Sequence, residues 1–206
     1  MKSTVTLPPL WGLCRRLAAI VGVLLVAWPG LAGAAGTASS TSIINRSSLT
    51  YSVGGVAQTL IESSPTGNST PGATLGADTS FVVDNKVSVL VTEGNSTYTS
   101  VSPGQTAAVT TFTVTNQGNT TQDFALAAAN LASGTSLFSG TDNFDGTSCS
   151  AYRESGVTAG YQAAQDTAIF VDVLSAEGTA TVYIVCDIPS GQASGSNAVV
   201  SLTATT

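Results

Sequence analysis

Residues 106–128 read TAAVTTFTVTNQGNTTQDFALAA, and this stretch decides the fold class. Phe112 and Val114 alternate with threonines, which is the period-2 pattern of a strand buried on one face. Residues 116–119, NQGN, supply a turn, and Phe124 begins the same alternation in a second strand. The stretch therefore predicts two neighbouring antiparallel strands rather than a helix.

The same alternation recurs on both sides of this stretch. About seven to nine short strands, with turn signals every 8–12 residues, are typical of an immunoglobulin-like antiparallel β-sandwich. A jelly roll is the alternative all-β architecture. No helical period follows residue 34. The residues that we expect to share a strand face are Val87, Val89 and Val91; Ile169, Val171 and Val173; Ala180, Val182, Ile184 and Cys186; and Ala198, Val200 and Leu202.

Residues 1–34 have the order of a secretory signal peptide. A basic region with Lys2, Arg15 and Arg16 precedes an apolar core, and small residues end the stretch. The alternative, a transmembrane anchor, is opposed by Pro29 and by the small-residue exit. We therefore expect cleavage after Ala34 or Ala35, and a secreted, surface-exposed or periplasmic bacterial protein.

Cleavage would leave three basic and twelve acidic residues, a net charge of −9. Such a surface repels phosphate backbones and anionic membranes, so neither nucleic acid nor membrane insertion of the mature chain is expected. Two cysteines remain, Cys149 and Cys186, and an even number in an exported chain predicts one disulfide. Two free thiols or a metal site are the alternatives.

The first part of the mature chain, residues 35–78, is expected to be separate from a sandwich at 79–206. Residues 43–61 predict a hairpin around Gly54-Gly55, and residues 62–78 are rich in Ser, Gly and Pro, as loops or linkers are. The hairpin could pair within the chain, or it could add to a sheet edge of a neighbouring copy. Residues 130–165 lack sustained alternation, and a loop of that length predicts short strands or a functional excursion.

The strand pattern is similar to a known family. Residues 81–91 (FVVDNKVSVLV), 101–126 (VSPGQTAAVTTFTVTNQGNTTQDFAL) and 174–206 resemble the DUF11-type conserved-repeat domains of bacterial exported and surface proteins. The FTVTNxGN strand and turn is the most specific element, and the resemblance covers most of the mature chain. It implies an immunoglobulin-like fold without an assigned activity.

No catalytic centre or bound cofactor is expected. The chain has no His, which excludes Ser-His-Asp and Cys-His arrangements, and it has no phosphate-binding glycine loop. Asp142, Asn143, Asp145 and Asp166 are candidate calcium ligands, because DNFDG places carboxylate and amide oxygens at short spacing. The alternative is a turn, in which Asp, Asn and Gly are common.

The sequence therefore predicts a non-enzymatic structural or interaction module that binds an unidentified protein or cell-surface partner. Two alternatives stay open. The chain could self-associate into a fibre by strand addition, or it could be a calcium-dependent carbohydrate-binding module.

Overall fold

A computed structural model describes residues 36–132 and 138–206, which lie in the compact unit Ala35–Thr206. The predicted signal peptide lies outside the described residues. The described part contains no helix. Its strands are β1 (Ser42–Asn45), β2 (Ser48–Leu49), β3 (Ser52–Val53), β4 (Val56–Ala57), β5 (Ile61–Glu62), β6 (Thr79–Val82), β7 (Val89–Glu93), β8 (Ala108–Asn116), β9 (Gln122–Asn130), β10 (Thr147–Arg153), β11 (Phe170–Leu174), β12 (Thr179–Asp187) and β13 (Val200–Thr205).

The last seven strands form two antiparallel sheets. One has four strands in the order β10-β12-β8-β7, and the other has three in the order β11-β9-β13. Both sheets contribute side chains to one hydrophobic core. This arrangement is consistent with a β-sandwich and confirms the predicted all-β antiparallel class.

The centre of the core is formed by side chains of β8, β9 and β12 that alternation predicted to face inward. Phe112 and Val114 of β8 pack with Val182 and Ile184 of β12 and with Phe124 of the opposite sheet. Val114, Phe124 and Val182 are completely buried, at 0% exposure. Burying side chains of this size stabilises the fold by about 1.5–3 kcal/mol each.

Asn116 completes the core as a buried polar group, at 0% exposure. Its amide nitrogen donates to the carbonyl oxygens of Thr120 at 2.8 Å and of Leu174 at 2.9 Å, and its amide oxygen accepts from the Gly118 N–H at 2.9 Å. A buried amide is tolerated when its hydrogen bonds are made. Asn116 therefore ties the β8–β9 turn to the end of β11.

The phase predicted for the strand of Val171 and Val173 is wrong. Val171 and Leu174 are buried, whereas Val173 is 69% exposed. The register shifts between Val171 and Leu174, and Val173 has a φ of +53°. Its N–H donates to the Asp123 carboxylate at 2.8 Å. This irregularity in the ladder moves Leu174, rather than Val173, into the core.

Residues 79–92 form two strands in separate sheets. Strand β6 pairs with β1, and β7 joins the four-stranded sheet. Between them the Lys86 N–H donates to the Asn119 side-chain oxygen at 2.8 Å, and the Asn119 amide nitrogen donates to the Asp84 carbonyl. Val89 and Val91 pack on the core as predicted, but Val87 is exposed because it precedes β7.

The predicted hairpin around Gly54-Gly55 pairs within the chain. Both glycines have positive φ, +58° and +82°, as a two-residue hairpin turn requires. Strand β3 pairs with β4, and β2 pairs with β5. The following loop returns to the hairpin, since the Gly72 N–H donates to the Leu60 carbonyl and Arg46 forms ion pairs with Asp78 and Glu62.

Strand β12 is buried on both faces, because Tyr183 and Val185 are also shielded from solvent. Residues 154–166 provide part of the cover. The Tyr183 hydroxyl donates to Glu154 at 2.6 Å, and the rings of Tyr161 and Tyr183 are 6.0 Å apart. Burial, followed by the Glu154 hydrogen bond, raises the pKa of Tyr183. The long irregular segment thus contains a short strand, β10, as one of the two predicted possibilities, and an irregular excursion at residues 154–166.

Candidate binding site

The predicted disulfide joins Cys149 to Cys186. It links β10 and β12, which are neighbours in the four-stranded sheet, and not the two sheets to each other. The β10 register shifts between Thr147 and Ser150, and Ser148 has a φ of +54°. Cys186 is buried among core residues, which confirms its predicted inward orientation.

Gly146 lies directly against this disulfide. A Cβ at this position would be 3.0 Å from the Cys186 Cβ and 3.1 Å from the Cys149 Sγ. The Asn130 side-chain amide exchanges two hydrogen bonds with the Gly146 backbone, at 2.8 and 3.1 Å. A larger residue at position 146 would therefore crowd the disulfide.

A cleft of about 470 Å³ opens at the end of the sandwich where Gly146 and Cys186 lie. Small inward-facing residues lie here: Ala108 at the start of β8 and Cys186 near the end of β12. The larger Phe112 and Ile184 lie nearer to the middle of the same strands. Small side chains leave space that larger ones would fill. The cleft, named here the end cleft, is lined by Glu93, Thr97, Tyr98, Thr99, Ser100, Val101, Ala108, Thr110, Phe112, Phe138, Phe144, Gly146, Ile184, Cys186, Ile188, Ser196, Asn197, Ala198, Val199 and Val200.

Aromatic rings from three separate segments line the end cleft. Phe112 belongs to β8, Tyr98 to the β7–β8 loop, and Phe138 and Phe144 to the segment before β10. The Tyr98 and Phe138 rings meet edge to face with centroids 5.9 Å apart, and the Tyr98 hydroxyl donates to the Phe138 carbonyl at 2.6 Å. These contacts join two loops at the same end of the sandwich.

Asp142 and Asn143, two of the candidate calcium ligands, bind backbone groups beside the cleft. Asp142 accepts from the Val199 N–H at 3.2 Å, and the Asn143 side-chain oxygen accepts from the Asn197 N–H at 2.9 Å. The Asn143 N–H also donates to the Asn197 carbonyl. These hydrogen bonds fix the chain that leads into β13.

Asp145 and Asp166, the other two candidates, have different surroundings. Asp145 is exposed, whereas Asp166 is 1% exposed and accepts from the N–H groups of Ser155 at 2.8 Å and Gln162 at 2.7 Å. Its hydrogen-bond partners are thus distinct from those of Asp142 and Asn143. Residues 36–132 and 138–206 contain no group of three or more His, Cys, Asp or Glu placed to hold a metal ion.

The Asp166 carboxyl has a lowered pKa. Burial, the largest single influence, would raise the pKa, but backbone N–H groups, first that of Gln162, and the Ser155 hydroxyl donate to the carboxylate. Together these hydrogen bonds favour the charged form and lower the pKa. Asp166 therefore organises the excursion that covers Tyr183.

Sequence reasoning did not identify the end cleft. Phe138 and Phe144 belong to a segment without strand periodicity, and Tyr98 belongs to a loop, so alternation gives no indication of where they point. The available signal was Phe144 itself, a large apolar residue between Asn143 and Asp145 in a turn-like sequence. Such a residue needs an apolar neighbour, which the cleft provides.

A second feature lies on the N-terminal strands. No residue between 36 and 87 is buried. The ribbon formed by β1 and β6 exposes apolar side chains on both faces, because its register places Ile44 and Val82 on one face and Phe81 on the other. We call the β1–β6 pair with these three side chains the N-terminal ribbon.

No protein-family model matches the chain, and neither a curated protein nor a solved structure matches it significantly. Among the described residues, no helix is long and apolar enough to cross a membrane.

Proposed function

We propose that the protein is an exported, non-enzymatic structural and interaction module of the bacterial cell surface, and that two copies associate through their N-terminal ribbons. The observation that carries this proposal is the exposure of Ile44, Phe81 and Val82 on a two-stranded ribbon, at 63%, 59% and 64%. Ile44 and Val82 share one face of the ribbon, and apolar side chains grouped on a surface are characteristic of interaction sites.

Both outer edges of the ribbon favour pairing with another strand. In the described structure β1 pairs only with β6, so each strand has one edge outside the ladder. Neither strand, SIIN or TSFV, contains the Lys or Pro residues that commonly prevent edge-to-edge association. The nearest cation, Arg46, is engaged by Asp78 at 2.7 Å. A two-stranded ribbon is marginally stable by itself, and pairing would extend it to four strands.

The distribution of charged residues favours a second copy of the chain as the partner of the N-terminal ribbon. Residues 36–87 contain two basic and three acidic residues, whereas residues 88–206 contain one basic and nine acidic residues. Two copies that meet through their N-terminal segments therefore juxtapose regions of low net charge. Contact between the sandwich parts would bring many carboxylates together, which is unfavourable.

Export and family membership have separate support. The basic, apolar and small-residue order of residues 1–34 is typical of a signal peptide, and a disulfide is typical of oxidising compartments. The resemblance of residues 101–126 to DUF11-type domains supports a surface role. The four- and three-stranded layers match the strand counts of an immunoglobulin-like sandwich, but the strand orders β10-β12-β8-β7 and β11-β9-β13 differ from the ABED and CFG orders.

The test is light scattering after size exclusion of the unit Ala35–Thr206 over a hundredfold concentration range. We expect the mass to rise from monomer to dimer, and Phe81→Lys to keep the protein monomeric. The matched control is Val157→Lys, because Val157 is fully exposed outside the ribbon and should leave association unchanged. A wild-type monomer at every concentration would refute the association.

Export is tested separately. The full chain is expressed in a bacterial host, and the mass of the product outside the cytoplasm is measured. A mass that begins at Ala35 or Gly36 supports cleavage at the predicted position. Retention of an uncleaved chain in the cytoplasm contradicts export but leaves the association result intact.

The calcium-dependent carbohydrate-binding alternative has less support. Oxygens of Asp142, Asn143 and Asp166 accept hydrogen bonds from backbone N–H groups. Both Trp residues of the chain, Trp11 and Trp28, precede the expected cleavage position, so the mature chain would lack a common platform for sugar stacking.

A further inference from the structure

We propose that the end cleft binds an uncharged, largely apolar small molecule. This inference is independent of association through the N-terminal ribbon. The volume of about 470 Å³ lies in the range of small-molecule sites, about 300–1,000 Å³. The lining combines aromatic rings with aliphatic groups of Ile184, Ile188 and Val199. Polar groups line the cleft at Thr110, Ser196 and Asn197, which suits a ligand with one or two hydroxyl or carbonyl groups.

The charges around the cleft select against an ionised ligand. The described residues that line the cleft include no Lys or Arg, so they offer an anion such as a fatty-acid carboxylate no cationic partner. The lining includes one acid, Glu93, whose carboxylate oxygens accept from the N–H groups of Asn95 at 2.8 Å and Ser96 at 3.0 Å. That carboxylate already has hydrogen-bond partners, and the acidic sandwich around it further disfavours anions.

Several walls of the cleft are held in place without a ligand. The disulfide and Gly146 fix one wall, and the Asp142 and Asn143 side chains fix the chain before β13. The hydrogen bond from Tyr98 to the Phe138 carbonyl joins two further lining segments. A preformed apolar site loses less conformational entropy on binding than one that must be ordered by its ligand.

The experiment is a fluorescence titration of the unit Ala35–Thr206 with Nile red, a neutral dye that brightens in apolar sites. We expect saturable binding of one dye per chain. Ala108→Phe and Val199→Phe place a larger side chain at two separate lining positions and should each weaken binding by about tenfold or more, equivalent to about 1.4 kcal/mol. The anionic dye anilinonaphthalene sulfonate should bind at least about tenfold more weakly than Nile red.

Two controls separate the cleft from other apolar surfaces. Ala127→Phe makes the same change on the exposed face of β9, outside the cleft lining, and should leave Nile red binding unchanged. The double variant Ile44→Ser with Phe81→Ser removes most of the exposed apolar surface of the N-terminal ribbon and should also leave it unchanged. Thermal melting checks that each variant is folded, and the second cleft-filling variant keeps the test valid if the first does not fold.

The proposal is overturned if Nile red shows no saturable binding. It is equally overturned if folded cleft-filling variants bind the dye as the wild type does, or if binding is lost in the ribbon variant. Tighter binding of the anionic dye than of Nile red would overturn the assignment of an uncharged ligand.

Discussion

Reducing the bond between Cys149 and Cys186 should lower the free energy of unfolding by about 4 kcal/mol. The two cysteines are separated by 37 residues in sequence, so the bond closes a loop of that size in the unfolded chain. The loop-entropy relation gives about 13 cal/mol/K for this length, which is about 4 kcal/mol at 25 °C. This is a large share of the about 5–15 kcal/mol that stabilises a typical domain.

The assay is urea unfolding of the oxidised protein, of the protein reduced with a phosphine, and of the double variant Cys149→Ala with Cys186→Ala. Tyrosine fluorescence and circular dichroism report the transition. Thiol titration confirms that reduction releases two thiols. We expect the reduced and double-variant proteins to lose similar stability and to show a larger m-value, because an uncrosslinked unfolded chain exposes more surface.

A loss below about 1 kcal/mol, well under the typical range for such a bond, would refute the reasoning. Such a small loss would indicate that the β10–β12 ladder and the contacts of Gly146 already restrict this region without the bond. Part of that restriction would then persist in the unfolded ensemble. An unchanged m-value with a large loss of stability would place the effect in the native state instead.

Three further changes test the polar and steric features of the fold. Asn116→Ala leaves buried groups unpaired and should lower the free energy of unfolding, measured in urea, by about 3–5 kcal/mol. A decrease of less than about 1 kcal/mol would contradict the proposed role of Asn116 in linking the β8–β9 turn to β11. Gly146→Ala should cost about 1–3 kcal/mol, whereas Gly191→Ala, with open space around it, should be neutral; equal effects would exclude the proposed steric cause. The lowered pKa of Asp166 stabilises the fold above the unfolded pKa of about 4, and this contribution is lost as pH falls through the folded pKa. The melting temperature should therefore fall less steeply with decreasing pH in Asp166→Asn than in the wild type. The exposed control Asp172→Asn should follow the wild type. Parallel curves of melting temperature against pH for the wild type and Asp166→Asn would disprove this.

Alternation predicted which side chains of β8 and β12 face the core between the sheets. Phe112 and Val114 of β8, and Val182 and Ile184 of β12, point inward because a pleated strand at a sheet interface repeats every two residues. The hairpin at Gly54-Gly55 was equally predictable, because its turn depends on local backbone geometry. These features follow from residues that are neighbours in sequence.

The errors arose where a distant residue decides the local structure. Val173 is turned outward in a ladder irregularity where its N–H binds Asp123, fifty residues earlier in the chain. Asn116 reads as an ordinary turn residue, yet its amide binds the Leu174 carbonyl, 58 residues later. Alternation describes a strand and its face, but it does not identify partners at such separations.

The candidate site was the least predictable feature. Its aromatic side chains come from loops, and its space results from the small size of Ala108 and Cys186 on strands that otherwise follow the expected pattern. The sequence identified Asp142 and Asn143 only as candidate calcium ligands, with a turn as the alternative. Their hydrogen bonds to the backbone of Val199 and Asn197, more than fifty residues later in the chain, could not be predicted from the sequence.

The absence of buried side chains between residues 36 and 87 has a consequence for the time course of amide hydrogen exchange. Amides of the central strand β12 should exchange only when the whole sandwich unfolds, whereas those of β1 and β6 should exchange through local opening of the ribbon. Pairing of two ribbons would slow exchange at β1 and β6 and leave β12 unchanged. Deuterium uptake at low and high protein concentration would then locate the contact between copies, residue by residue, without any substitution in the chain.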